Sequence, residues 1–187
     1  MKNIFLFTFI GLVLWSCSNS GTKSQANTEE PKQKEVVIQN DMENAAGIIP
    51  SWNNEITVVK MPAPAIAHSG EYVSMLDKDN IYSYTFSDFL KNINNVVPKK
   101  IIVNGWAYSA EYNEALLIVM DINVNGQSLI WRANPITSQI STQNEWHEFT
   151  TEFIVDLPVG IENHIKIFAS GGGKKAYFDD LKITFEY

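Results

Sequence analysis

Between residues 36 and 187 the chain is divided into short stretches in which apolar and polar residues alternate, each ending on a cluster of turn-forming residues. Period-two alternation is the signature of a half-buried β-strand, because successive side chains point to opposite faces. The stretches fall at residues 36–42, 55–59, 72–76, 81–86, 101–108, 115–124, 128–132, 146–155, 164–169 and 177–187. That is about ten strands at the spacing of an all-β fold, a two-sheet antiparallel β-sandwich or jelly roll. Residues 77–80, Asp-Lys-Asp-Asn, predict a hairpin between the strands at 72–76 and 81–86. Asn125-Gly126 predicts another, because a type I′ turn needs positive φ at both central residues. One short helix is expected over residues 87–95, where Phe89, Leu90 and Ile93 recur at helical spacing before Pro98.

The first 35 residues have a different texture. Lys2 precedes an apolar run over residues 4–14, the length of a signal-peptide core and short for a bilayer span. Leu14-Trp15-Ser16-Cys17 follows, with Leu three positions before the cysteine and a small residue just before it. This resembles the lipobox of bacterial lipoproteins, in a relaxed form like that of Bacteroidota. The resemblance implies cleavage before Cys17, diacylation of its thiol, and a secreted protein lipid-anchored at the outer membrane or cell envelope. About two or three acyl chains make such an anchor stable. Cys17 is the only cysteine, so it has no internal disulfide partner. Residues 18–35 hold no large apolar side chain and read as a flexible tether. The expected organisation is therefore a signal peptide at 1–16, a tether at 17–35 and one folded domain at 36–187.

Charge and motifs narrow the chemistry. A net charge of −7 without a basic patch disfavours nucleic acid. His68, His147 and His164 lack metal-type spacing with another His, Cys or Glu, so zinc is not expected. No Gly-x-Ser-x-Gly nucleophile motif is present, and Gly171-Gly172-Gly173 precedes a strand, not the helix a phosphate loop needs. The reading is a protein without catalysis. Nothing in the sequence sets an oligomeric state.

The order of five short motifs carries a resemblance. Asn40-Asp41-Met42-Glu43, Ala67-His68-Ser69-Gly70-Glu71-Tyr72, Val103-Asn104-Gly105-Trp106-Ala107-Tyr108, Trp146-His147-Glu148-Phe149 and Ala176-Tyr177-Phe178-Asp179-Asp180-Leu181-Lys182-Ile183 occur in that sequence. Together they resemble the jelly-roll carbohydrate-binding modules of bacterial xylanases and cellulases, in the galactose-binding-like superfamily. The resemblance implies a glycan ligand and a structural calcium. Glu43, the turn from Ser69 to Glu71, and Asp179 would hold that calcium, with Asp41 adding a further acidic group. Residue chemistry agrees: alternation in the last strand predicts Asp179 on the face of Leu181, Ile183 and Phe185, where a bare carboxylate is costly and calcium takes hard oxygens.

A sugar site follows from the strand at 101–108. Ile101, Val103, Gly105 and Ala107 share one face; Ile102, Asn104, Trp106 and Tyr108 share the other. The first face is the expected core face. Trp106, Tyr108 and Asn104 then point outward, with Asp121 and Asn123 on the polar face of the next strand and Trp131 and Tyr84 as further aromatics. The alternative is Trp106 buried beneath residues 43–54 and 61–68, as core aromatics often are. Two other functions compete with glycan binding: an adhesion or structural envelope module that binds protein, and a hydrolase on the same scaffold. A row of exposed aromatics on one sheet separates the first reading from the second, since protein-binding faces also carry Arg and Met anchors.

Overall fold

Asn125 and Gly126 take φ values of 51° and 81°, and the strands they join pair as an antiparallel hairpin. The computed structural model describes residues 34–44 and 50–187. Cys17, the expected signal peptide and tether residues 17–33 lie outside the described residues, and Glu35, expected in the tether, opens the first strand instead. Among those described, the strands are β1 (Glu35–Asn40), β2 (Trp52–Asn53), β3 (Val58–Lys60), β4 (Tyr72–Leu76), β5 (Thr85–Phe89), β6 (Lys100–Ser109), β7 (Leu117–Val124), β8 (Gln127–Pro135), β9 (Trp146–Ile154), β10 (His164–Ser170) and β11 (Ala176–Glu186). A single helical turn, α1, spans Leu90–Ile93.

The strands form two antiparallel sheets. The first has the order β3-β4-β11-β6-β9, with β1 also paired to β11; the second has the order β2-β5-β10-β7-β8. Alternation explains the core between them. Ile101, Val103 and Ala107 of β6, Phe149 and Phe153 of β9, and Ile183 and Phe185 of β11 face Phe86, Ile118, Met120, Ile122, Ile165 and Ile167 of the second sheet, all of them buried. Each such side chain contributes about 1.5–3 kcal/mol on leaving water, which makes this interface the main source of stability. The expected two-sheet antiparallel sandwich is the observed architecture.

Three local expectations are corrected and one strand is added. Residues 55–59 do not form one strand: Glu55–Thr57 is a 3-10 turn, and only Val58 onward joins the sheet as β3. Thr57 is the cause, because its hydroxyl donates to the Asn54 carbonyl at 2.8 Å and holds the turn. The strands at 72–76 and 81–86 do not pair as a hairpin. β4 lies in the first sheet and β5, which begins only at Thr85, in the second, so this connection crosses the sandwich. Buried hydroxyls take over its backbone bonds: Tyr84 N–H donates to Ser74 Oγ and Ala169 N–H to Ser83 Oγ, both at 2.8 Å. The helix expected at 87–95 shrinks to α1, its first residues being the end of β5. Finally, β2 escapes sequence reading, because two residues are too few to alternate.

Gly105 sits where β6 passes beneath large neighbours. A Cβ there would stand 2.7 Å from Leu181 Cδ2 and 3.1 Å from the Phe149 ring. Gly105→Ala should therefore cost about 1–3 kcal/mol by overpacking. Gly126→Ala meets open space and only a positive φ, so it should cost about 1 kcal/mol. Denaturant unfolding of both variants checks the contrast; equal costs would contradict the packing account.

Candidate functional site

The first candidate region is organised by an interruption in β11. One flank of β11 pairs with β6, while the other pairs with β4 up to Phe178 and with β1 from Leu181. Asp179 and Asp180 fall in the gap between those two partners. Asp179 opposes Trp106 and Lys182 opposes Asn104, so β11 carries one extra residue here, with Asp180 at φ 49°. Such a bulge reverses the phase of alternation. This corrects the expected facing: Leu181, Ile183 and Phe185 enter the core, whereas Asp179 shares the outer face with Tyr177 and Trp106.

Carboxylates fill the gap. Asp179 is wholly buried; its Oδ2 accepts the Ser69 N–H at 3.0 Å and its Oδ1 the Asp180 N–H at 2.8 Å. Glu43 Oε1 accepts the N–H groups of Glu71 and Tyr72 at 2.9 and 2.8 Å. Just before those amides Gly70 takes φ +55°, and a Cβ on it would stand 2.2 Å from Glu43 Cδ. Only glycine allows the carboxylate so close to the turn. Asp180 grips the same segment, accepting the Ser69 hydroxyl at 2.8 Å and pairing with His68 Nδ1 at 2.6 Å.

These bonds pull residues 61–69 across the outer face of the first sheet. His68 stacks on Trp106 with ring centroids 3.8 Å apart, and Trp146 Nε1–H donates to the Ile66 carbonyl at 2.8 Å. Met61, Val73, Tyr108 and Tyr177 form a second buried cluster there. Trp106 does point outward, as alternation requires, but the covering segment weighed as the alternative lies over one of its ring faces. Tyr108 is 9% exposed, and Asn104 Nδ2 donates to Thr150 Oγ1 at 2.6 Å. The expectation of an open aromatic face on this sheet is thus corrected.

The acceptor atoms at the gap are hard carboxylate oxygens, the kind calcium takes. Asp179 is a buried carboxylate that accepts only amide protons, and burial, with Asp180 beside it adding to the effect, pushes it up to about 6 against the pull of the Ser69 amide. A cation would relieve that cost. Glu43 and Asp179 fit such a role. Asp41 is turned away, its Oδ1 accepting the Glu43 N–H at 3.1 Å, and Glu71 pairs with Lys60 at 2.9 Å. Among the described residues no three His, Cys, Asp or Glu side chains converge as a metal cluster. A hollow of about 520 Å³ lies beside the gap, lined by Gln39, Asn40, Asp41 and Asn44 and by Asp180 and Leu181, and has no aromatic wall.

The second region is the outer face of the other sheet. Register places Ser87, Lys166, Asp121 and Trp131 side by side on β5, β10, β7 and β8. The next row holds Phe168 over Val119, and Tyr82 meets Phe168 edge-to-face at 5.0 Å. A groove of about 530 Å³ runs over these side chains. Trp131 is 58% and Tyr82 49% exposed. Asp121 is held by the β7–β8 hairpin, accepting Ser128 Oγ–H at 2.6 Å on Oδ1 and, on Oδ2, a longer bond at 3.4 Å from Asn123 Nδ2. His164 lies at the groove end near Ser87 Oγ at 3.3 Å, held below its ordinary pKa by burial and by Lys166.

Of the sequence candidates, Trp131 and Asp121 line this groove, while Asn123 is buried beside Asp121 and does not reach it. Nor does Tyr84: it is wholly buried, stacked on Trp52 at 5.3 Å, and its removal from the surface is a further correction. Lys166, Phe168 and Tyr82 are added by the structure. The first two were visible as an odd alternation: His164, Lys166 and Phe168 interleave with the core residues Ile165 and Ile167.

The architecture is a two-sheet β-sandwich of jelly-roll type. Among solved structures the chain is similar to the CBM22-1 xylan-binding domain of Paenibacillus barcinonensis Xyn10C, with TM-score 0.53 and 14% identity over 83% of this chain and 98% of that one. It is also similar to the CBM22-2 xylan-binding domain of the same protein, with TM-score 0.52 and 12% identity over 79% and 98%. At such identities the likeness is one of fold. No protein-family model matches the sequence, and no curated protein does.

Proposed function

We propose that this chain is a non-catalytic, glycan-binding lipoprotein whose sugar lies across the outer face of the β2-β5-β10-β7-β8 sheet. The observation that carries the reading is the groove in which exposed Trp131 and Tyr82 flank Lys166, Asp121 and Ser87. Large rings left in water beside polar groups suit a sugar, whose C–H faces pack on aromatics while its hydroxyls bond amides and carboxylates. The groove volume is within the range of small-molecule sites. Asp121 is the one carboxylate among the described residues lining it, whereas hydrolysis by the usual route uses a facing pair. A xylan-binding function in proteins of the same fold is consistent with this reading. Cys17 supplies the anchor in this proposal and residues 18–35 the reach from the envelope surface.

Calcium is the second part of the proposal, held by Glu43 and Asp179 at the gap in β11. Its role there is structural: it joins the segment after β1, the turn before β4 and the bulge of β11. The sign of its pH dependence follows from Asp179. A carboxyl raised from 3.8 to about 6 takes up its proton on folding, so its contribution is full below 3.8 and is lost as pH rises through about 6. The loss is on the order of 3 kcal/mol.

Two outcomes are expected. Trp131→Ala should weaken binding on a glycan array about tenfold or more and leave the protein in the membrane fraction. Cys17→Ser should do the reverse, releasing the protein and sparing binding. Loss of both properties in either variant would contradict the division of roles. Melting in chelator should show stability falling between pH 4 and pH 6.5. Calcium should raise the melting temperature more at pH 7 than at pH 5, and Asp179→Asn should lose both effects. Identical curves with and without calcium at pH 7 would remove the metal.

A further inference from the structure

We infer that the glycan taken by this groove is an acidic one, whose uronate carboxylate pairs with Lys166; the inference rests on the glycan reading of the same groove. Lys166 is exposed in the middle strand of the groove, with Ser87 beside it on β5 and Asp121 on β7. Among the described residues its ammonium makes no ion pair within 4.0 Å, although a carboxylate stands next to it across the strands. Asp121 is drawn the other way, its two oxygens accepting from Ser128 and Asn123. Lys99, Lys175 and Lys182 are likewise exposed without an ion pair among the described residues, but of these Lys166 is the one that lines the groove beside exposed aromatic rings. Lys166 is an ammonium facing an open groove.

Its surroundings define what it would meet. Trp131 stands two strands away, about 10 Å at ordinary strand spacing. Phe168 is two residues along the same face of β10, with Tyr82 against its edge. A saccharide that stacks one ring on Trp131 and runs across the strands brings a later ring of the same oligosaccharide over Lys166. The group that gains most there is an anion, since a charge-assisted bond is about twice as strong as a neutral one. The Ser87 hydroxyl, on the far side of Lys166, can donate to the second oxygen of a carboxylate. Asp121 remains as the acceptor for sugar hydroxyls on the Trp131 side. A neutral sugar would use Trp131 and Asp121 and leave Lys166 in water.

The test is calorimetric titration of the full chain, carrying Cys17→Ser for solubility, with three oligosaccharides: oligogalacturonate, oligomannuronate and glucuronate-branched xylo-oligosaccharide. Each is paired with its carboxyl-reduced counterpart. At least one acidic form should bind about tenfold more tightly than its reduced form, and the gap should narrow as salt is raised. Lys166→Gln should bring the two forms to the same affinity, and Lys166→Arg should restore the gap. Equal binding of acidic and reduced forms, lost together in Trp131→Ala, would overturn the acidic assignment and leave the glycan site standing. Binding of none of the six would overturn both.

Discussion

The fold depends on how three chain segments meet where β11 changes partners. Between Phe178 and Leu181 that strand has lost β4 and not yet met β1, and the N–H groups of Ser69, Glu71 and Tyr72 come to the gap. The wholly buried Asp179 needs donors there, since a buried polar group left unsatisfied costs about 1–3 kcal/mol. The Ser69 and Asp180 amides supply them, and Glu43 accepts the amides of Glu71 and Tyr72. The geometry of the two carboxylates requires Gly70 for close approach and a bulge at Asp179–Asp180 for aim. The same bulge then sets the phase of the rest of β11, which is why Leu181, Ile183 and Phe185 reach the core.

That junction also decides which face of the sandwich is open. Once Asp180 grips Ser69 and His68, residues 61–69 lie over Trp106, and the outer face of the first sheet closes on its own aromatic cluster. The opposite sheet has no such cover over Trp131 among the described residues. Of the two outer faces, the second sheet's is the one left with an open groove flanked by exposed aromatics among the described residues. The partition follows from backbone satisfaction at one edge and from edge-to-face and stacked rings at the other.

Much of this was legible beforehand, and the exceptions have physical causes. Strands β9 and β10 stood out by their alternation, and β6 and β7 by long runs rich in β-branched and aromatic residues bounded by turn signals. The outward direction of Trp106 was also legible and a cover by residues 61–68 stood as the alternative, but the choice between an open and a covered ring turns on the tie of that loop to Asp180, which alternation does not show. Bulges are the deeper reason. Alternation reads straight through Asp180 and puts Asp179 on the wrong face. Counting back from the Asn125-Gly126 turn would likewise set Trp131 opposite Met120, inside the core. An extra residue at Leu129 shifts it to face Asp121, outside. Each bulge moves a side chain across the sheet, and neither leaves a compositional trace.

The central claim is that the second sheet, and not the covered first one, is the binding face. Amide and indole chemical-shift mapping of the unacylated chain during titration with glucuronate-branched xylo-oligosaccharide tests it most directly. The account predicts shifts concentrated at the Trp131 indole, Phe168, Lys166 and Asp121, with Trp106 and the turn from Ser69 to Tyr72 unmoved. Shifts centred on Trp106, His68 and Trp146, with β8 and β10 silent, would contradict it.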